Sequence, residues 1–276
     1  MCGIVGYVGH APVTETLLSA LGGLEYRGYD SAGVAILNGQ GLEVRKRVGK
    51  LSALVEALQQ QPIRGHIGVG HTRWATHGPP SEANAHPHTD CTGRLAIVHN
   101  GIIENYAALK EQLVASGHAF RSQTDTEVIA HLIEEKSRSY PMSEAFRLAL
   151  KELKGSYALC LISADEPTRL FGARQGSPLI VGVGKREALF ASDVPAILER
   201  TRRVIYLRDH DVVELTPEGA RITTLEGKAI RRTPTRVSWS LAAARKGGFP
   251  HFMLKEIHEQ PAAITQTLAN RLDAAK

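Results

Sequence analysis

Cys2 follows the initiator methionine in the run Met1-Cys2-Gly3-Ile4-Val5-Gly6. Removal of Met1 leaves a chain whose first residue carries both a thiol and a free α-amino group. A thiolate is a strong nucleophile, although only a few per cent of an ordinary thiol is ionised near neutrality. An α-amino group titrates at about 7.7–8.0, so part of it is neutral and able to take a proton. One residue therefore holds a nucleophile and a base. The competing reading of Cys2 is a small residue in a buried first strand, since free cysteine also serves as a small core hydrophobe.

Other runs hold groups that complement such a nucleophile. His71-Thr72-Arg73-Trp74-Ala75-Thr76-His77-Gly78 follows a short apolar stretch and runs into Pro79-Pro80. It enters a loop, where binding groups are commonly mounted. Arg73 has the planar fork that grips a carboxylate, and Trp74 can wall a site. A surface ion pair and a core tryptophan fit these residues equally well. Asn100-Gly101 follows Leu95–Val98. It is either a tight turn or an oxyanion hole, with the Asn100 amide and the Gly101 N–H aimed at developing negative charge. Thr124-Asp125-Thr126-Glu127 has capping-box spacing. Asp125 either suits the dipole of that helix or binds an ammonium group. His86-Pro87-His88 with Cys91 and His99 matches no standard zinc spacing, so no metal is expected. Gly182-Val183-Gly184-Lys185 lacks the leading glycine and the Ser/Thr of a phosphate loop.

These groups must be held by alternating short strands and amphipathic helices. Strands are expected at Gly3–Val8, Ala32–Leu37, Leu42–Val48, Ile67–Gly70 and Leu95–His99, with a hairpin about Asn38-Gly39. Val13, Leu17, Leu21 and Leu24 recur at helical spacing. Further helices are expected at Leu51–Gln60, Glu104–Ala115, Thr126–Lys136 and Ser143–Leu153. From Ser156 onward the pattern turns to strands: Ser156–Ser163, Leu170–Ala173, Leu179–Val183, Ala188–Ala191, Val204–Leu207, Val212–Leu215 and Ile222–Leu225. Only Pro195–Glu199 reads as helical there. Hairpin-linked strands and grouped helices favour antiparallel sheets covered by helices over a doubly wound parallel sheet. The fold class is α+β, a layered α-β-β-α arrangement. Arg231–Gly248 reads as a polar linker, and His251–Lys276 opens an amphipathic helical segment interrupted at Pro261. The expected division is a domain over 2–240, then a linker and the start of a second region over 241–276.

The chain of 276 residues fits one large domain, or one domain plus a piece of another. Its 43% hydrophobic content supports a substantial core, and 5% aromatics make that core mostly aliphatic. The net charge of +5 is mild, with late basic residues Lys228, Arg231, Arg232, Arg236, Arg245 and Lys246. No aromatic platform interleaves them, as single-strand nucleic-acid binding would need. The 3 cysteines, Cys2, Cys91 and Cys160, argue against a disulfide framework and for a reducing compartment. No apolar run approaches the roughly 20 residues of a membrane span, and the amino end lacks a signal-peptide pattern. A cytoplasmic protein with no membrane or nucleic-acid partner is expected.

Taken together, several runs resemble a known family. Cys2-Gly3-Ile4-Val5-Gly6, Arg27-Gly28-Tyr29-Asp30-Ser31-Ala32-Gly33, His71 to Gly78, and His99-Asn100-Gly101-Ile102-Ile103-Glu104-Asn105 look like the glutaminase domain of class II glutamine amidotransferases. So do Thr124-Asp125-Thr126-Glu127, Gly176-Ser177-Pro178 and Ala191-Ser192-Asp193. The likeness spans residues 2 to about 240. Arg27–Gly33 and His71–Gly78 look specifically like the branch that turns fructose 6-phosphate into glucosamine 6-phosphate. The run from Phe249 to Pro261 resembles the entry into that branch's sugar-isomerase half.

The resemblance implies the N-terminal-nucleophile hydrolase fold and L-glutamine as substrate. It implies that the Cys2 thiolate attacks the side-chain amide carbon, while the Cys2 α-amino group moves the proton through a water. Asn100 and the Gly101 N–H would hold the oxyanion. Ammonia would leave, and water would hydrolyse the thioester to glutamate. Arg73 would hold the substrate α-carboxylate and Asp125 its α-ammonium. Trp74, Thr76 and His77 would line and close the site, and Arg27 would order the amino end. The resemblance implies neither metal nor organic cofactor. Family members are homodimers that pass ammonia to an isomerase domain with a fructose 6-phosphate site. The sequence ends at Lys276, just inside that half, so glutamine hydrolysis without aminosugar formation is expected. The alternatives are another class II amidotransferase and a catalytically silent glutamine-binding regulatory module. A silent module would lack a nucleophile or an oxyanion residue, and none is missing.

Overall fold

A computed structural model of the chain describes residues 2–238 and 248–269. Two compact units are present, Met1–Ser238 and Trp239–Lys276. In the first unit, β1 (Gly3–Gly9), β2 (Ser31–Asn38), β3 (Gly41–Val48), β4 (Ile67–Arg73), β9 (Ile180–Val183), β10 (Glu187–Ala191), β11 (Arg203–Tyr206) and β15 (Thr235–Arg236) form an 8-stranded sheet. Its order is β15-β11-β9-β10-β1-β4-β2-β3. The second sheet has 7 strands. They are β5 (His88–Thr89), β6 (Leu95–Ile103), β7 (Gly155–Ser163), β8 (Leu170–Gln175), β12 (Val212–Thr216), β13 (Gly219–Thr223) and β14 (Ala229–Ile230), ordered β14-β13-β12-β8-β7-β6-β5. Neighbouring strands pair antiparallel in both sheets.

The sheets face each other across an aliphatic core. Ile4, Val8, Ala35, Val69 and Phe190 of the first meet Val98, Ala158, Cys160, Ile162 and Val213 of the second. On the far side of the first sheet lie α1 (Val13–Gly22) and α2 (Leu51–Gln60). Over the second lie α3 (Tyr106–Ala115), α4 (Glu127–Ser137) and α5 (Met142–Glu152). Leu109, Val128, Ile129, Leu132 and Phe146 of these helices pack on Leu95, Ile97, Leu159, Leu161 and Phe171. The layers are therefore α-β-β-α. Covered on both faces, β1 is buried at every position, so it reads as a continuous apolar run rather than an alternating one.

Two strand neighbours set up the site. β1 runs between β10 and β4, and Gly3 pairs with Thr72, which puts Cys2 beside the end of β4. β6 extends past the expected His99 to Ile103, because Asn100 and Gly101 pair with Ala158 and Tyr157 of β7. The turn reading of Asn100-Gly101 is thereby corrected. Gly101 holds φ +134° there, a conformation that suits glycine. A Cβ at this position would run into the Ser156 carbonyl.

Several local expectations also change. α1 stops at Gly22, and Leu24 precedes a 3-10 turn at Glu25–Arg27. Pro195–Glu199 is not a helix. A 3-10 turn, Val194–Ala196, is capped by Asp193, which accepts the Val194 N–H at 2.8 Å. The segment from Arg231 is not wholly a linker, since Thr235 and Arg236 pair with Val204 and Arg203. Residues 239–247 and 270–276, part of the expected linker and tail, lie outside the described residues. In the second unit, α6 (Phe252–Leu268) runs through Pro261 rather than breaking there. The bond lost at the proline is to the Ile257 carbonyl, and both residues are exposed, so solvent can take its place. Among the described residues, no helix is long and apolar enough to cross a membrane.

Candidate active site

A cavity of about 260 Å³ is lined by Cys2, Arg27, Arg73, Trp74, Thr76, His77, Asn100, Gly101 and Asp125. The structure thus gathers every residue that the resemblance nominated for the glutamine site, from five separate stretches of chain. The Trp74 N–H donates to the Cys2 sulfur at 3.1 Å, and the Trp74 carbonyl lies 3.4 Å from it. Burial pushes the Cys2 thiol up from its ordinary value. The Trp74 N–H and the positive charges of the amino terminus and Arg73 oppose that shift, and Asp30 adds to it. The resting group is therefore a thiol that needs a base.

The Asn100 side chain bridges Cys2 and the core. Its Nδ2 donates to the Cys2 carbonyl at 2.9 Å, and its Oδ1 lies 2.9 Å from His71 Nε2. His71 Nε2 also lies 3.2 Å from the His99 carbonyl. Facing two acceptors, Nε2 carries the proton, a tautomer assigned from the network. Burial pushes the His71 pKa down to about 3, so the ring is neutral at pH 7. An amide has two N–H donors. The one not spent on Cys2 is available to a substrate oxygen.

Arg73 is buried, and its guanidinium reaches the backbone carbonyls of His77, of Gly78 at 3.2 Å and of Pro79 at 3.5 Å. The loop it enters is wrapped around its own arginine. Gly28 packs so closely beneath Arg73 that a Cβ would sit 2.7 Å from the Arg73 carbonyl carbon. Across the cavity, Asp125 is also buried. Its Oδ2 accepts the Ile103 N–H at 2.7 Å, and its Oδ1 lies 4.0 Å from His77 Nδ1. A guanidinium and a carboxylate thus flank one thiol.

The capping-box reading of Thr124–Glu127 is corrected. Helix α4 begins at Glu127, so Thr124 lies before its cap, and the cap residue Thr126 makes no side-chain capping bond. Glu127 instead accepts the Arg121 and Ser122 N–H groups at 2.7 and 2.6 Å. Thr126 Oγ1 lies 2.9 Å from both His86 Nε2 and His99 Nδ1. These histidines form a buried polar bed with His71. Cys91, grouped with them by sequence, lies instead with His118, His131 and Glu134.

Residues 71–199 match the glutamine amidotransferase domain family. The chain contains a glutamine amidotransferase domain. It is 57% identical, over 99% of its length, to the glutamine–fructose-6-phosphate aminotransferase of Thermus thermophilus, and 51% identical over 97% to that of Thermococcus kodakarensis. It spans about 45% of the length of these curated relatives. The solved glutamine phosphoribosylpyrophosphate amidotransferase from B. subtilis is 27% identical, with a TM-score of 0.70 over 83% of this chain and 50% of that one. A class-II glutamine aminotransferase domain protein from Silicibacter pomeroyi, 17% identical with a TM-score of 0.56 over 81% of this chain and 99% of that one, shares the fold. The architecture is that of N-terminal-nucleophile amidotransferases.

Around the cavity, the amidotransferase domain adds contacts that residue types alone did not reveal. Arg27 pairs with Asp193 at 3.2 Å and donates to the Ser192 carbonyl at 3.2 Å. Ser192 Oγ in turn accepts the Ile4 N–H at 3.0 Å, so Arg27 is tied to the start of β1. Asp30 is the residue that sequence reasoning missed, although it lies inside the run Arg27–Gly33. Its carboxylate accepts the Ala75 N–H and the Ser31 hydroxyl, and its own N–H donates to the Arg73 carbonyl at 3.1 Å. At the mouth, the Tyr29 and Trp74 rings meet edge to face at 5.4 Å, and each is about half exposed.

Proposed function

We propose that this chain hydrolyses the side-chain amide of L-glutamine to glutamate and ammonia, with Cys2 as nucleophile. The observation that carries the reading is one cavity that joins the Cys2 thiol, the Asn100 amide, Arg73 and Asp125. Arg73 takes the substrate α-carboxylate and Asp125 its α-ammonium. Fixed charges at both ends of an amino acid present its amide in one orientation. The Cys2 α-amino group, free once Met1 is removed, draws the thiol proton through a water. Sulfur adds to the amide carbon, and the free Asn100 N–H and the Gly101 N–H hold the oxyanion. One such donor is worth about 10²–10³ in rate. The ammonium formed on Cys2 returns its proton to the leaving nitrogen as the C–N bond breaks. Water then adds to the γ-glutamyl thioester, and glutamate departs. Trp74, Thr76 and His77 shut the cavity, and Arg27 steadies β1.

The likeness to glutamine–fructose-6-phosphate aminotransferases supports a second level of the proposal. Residues 241–276 are the linker and the start of a sugar-isomerase region. In a longer homodimeric cytoplasmic protein, the ammonia converts fructose 6-phosphate to glucosamine 6-phosphate.

The test combines intact mass with glutamate release. Chains that have lost Met1 should release glutamate, whereas Cys2→Ala and chains that keep Met1 should not. Equal rates from the native chain and Cys2→Ala would overturn the mechanism. Binding of glutamine without turnover by a correctly processed chain would favour the regulatory module. The purified chain, given fructose 6-phosphate and glutamine, should form no aminosugar.

A further inference from the structure

A second cluster of reactive groups shares no residue with the lining of the glutamine cavity. Cys91 lies in the turn between β5 and β6, and His118 follows α3. His131 and Glu134 share one face of α4. Their donor atoms all lie within 4.8 Å of one another. The Cys91 sulfur is 3.6 Å from His118 Nδ1 and 3.5 Å from His131 Nδ1. Glu134 Oε2 is 3.0 Å from His118 Nδ1 and 3.1 Å from His131 Nδ1. We propose that Cys91, His118, His131 and Glu134 form a structural site for one divalent transition-metal ion, with zinc as the ion the donors fit.

Bonds of about 2.0–2.3 Å to nitrogen, oxygen and sulfur in a tetrahedron separate the ligands by about 3.3–3.7 Å. The sulfur–nitrogen separations fall in that window, the carboxylate must retreat from the two imidazoles by a few tenths of an ångström, and no two donors are more than 4.8 Å apart. The outer shell is also in place. His118 Nε2 lies 3.0 Å from Glu135 Oε2, and His131 Nε2 faces Glu127 Oε1 at 3.6 Å. The hydrogen bond to Glu135 keeps the His118 proton on Nε2 and turns its Nδ1 lone pair inward, the usual support of a metal-bound imidazole, while His131 Nε2 has the Glu127 carboxylate near it without a hydrogen bond. The Ala119 N–H donates to the Cys91 sulfur at 3.4 Å, and the Cys91 N–H donates to Glu134 Oε2 at 3.0 Å. In the Nε2–H tautomer a sulfur, two imidazole lone pairs and a carboxylate face one another, and a shared cation takes the place of the hydrogen bonds to Glu134. Four protein ligands leave no open position, which marks a structural rather than a catalytic site. His118, His131 and Glu134 are buried while Cys91 is half-buried, so an ion has a way in.

The ion would clamp the β5–β6 turn and the end of α3 to α4, the helix that directly follows Asp125 and Thr126. The full chain is purified from zinc-supplemented cells, dialysed against metal-free buffer and assayed by mass spectrometry for metals. Equimolar zinc is expected. After exchange for cobalt, the visible spectrum should show tetrahedral bands and a thiolate-to-cobalt charge-transfer band. That band should vanish in Cys91→Ser. Glu135→Gln, which keeps every ligand, should weaken zinc binding roughly 10–100-fold. A folded native chain that loses its zinc on dialysis and gives a six-coordinate cobalt spectrum would overturn the site. So would a charge-transfer band that survives Cys91→Ser. The first two measurements use the native chain, so misfolding of a variant leaves the site open to refutation.

Discussion

His71 determines which way Asn100 faces. Its Nε2 lies 2.9 Å from Asn100 Oδ1, which leaves the amide nitrogen turned to Cys2 at 2.9 Å from its carbonyl. The ring is buried and never meets the cavity as a charged group. His71→Phe keeps an aromatic ring of similar size but removes the donor. The Asn100 amide is then free to flip, which presents oxygen where an oxyanion must sit. The expected result is a fall in kcat of roughly 10–100-fold with little change in glutamine KM, smaller than the about 10²–10³ loss for Asn100→Ala. An unchanged kcat in His71→Phe would show that Asn100 holds its orientation without the histidine.

Asp30 should act at a distance through the loop it fastens. Asp30→Ala frees the Ala75 N–H and removes a charged acceptor worth about 1.5–3 kcal/mol. A loop so loosened mispositions both Arg73 and Trp74. Steady-state kinetics should show kcat/KM down by roughly 10–100-fold. Asp30→Asn, which keeps an acceptor of the same shape, should recover part of the loss.

The two ends of the substrate can be tested separately. Asp125→Asn keeps an oxygen for the Ile103 N–H, so the fold is preserved while the charge is lost. Glutamine KM should rise by roughly 10–100-fold, as expected for a hydrogen bond to a charged group. A substrate analogue without the α-ammonium should be hydrolysed equally by the wild type and Asp125→Asn. Discrimination between the two proteins with that analogue would assign Asp125 a different role.

The buried histidines make stability depend on pH in a stated direction. His71 is pushed by burial from 6.5 to about 3, and burial also lowers His86, His88 and His99. Above about pH 6.5 the imidazoles are neutral in both folded and unfolded chains, and nothing is lost. Between 6.5 and about 3 the unfolded chain takes up protons that the folded chain refuses. Stability therefore falls as pH falls, by up to about 1.4 kcal/mol per pH unit for each histidine. Urea titrations from pH 7 to pH 4 should show this slope, and His71→Gln should reduce it. A stability independent of pH over that range would contradict the burial of these rings as neutral groups.

Much of the architecture was legible because its signals are local. The hairpin at Asn38-Gly39, helix α2 before Pro62 and the run of strands after Ser156 all follow from turn chemistry and periodicity. The cavity residues were legible because Cys2, Arg73, Asn100 and Asp125 each lie in runs of unusual composition. What escaped depended on partners far away in sequence. Nothing near Asn100 announces that His71 will hold its oxygen. Cys91 invited grouping with His86 and His88 because they are close in the chain, yet those rings meet Thr126 and Thr124 just before α4, while the turn after β5 carries Cys91 to His131 and Glu134 further along that helix. Thr124 had the right spacing for a cap, but helix α4 starts too late to use it. Pro261 carried a reliable local signal that an exposed helix can tolerate.

The placement of β1 has a practical side. Cys2 is followed at once by a strand hemmed by β10 and β4, with no slack between the sulfur and the middle of a sheet. The sulfur thus inherits the rigidity of the scaffold without any tether to average it away. A purification handle or fluorophore joined ahead of Cys2 starts from a residue that lines the cavity beside Trp74. Labels and surface attachment for this protein belong elsewhere on the molecule, because at the amino end the attachment point and the reaction vessel are the same place.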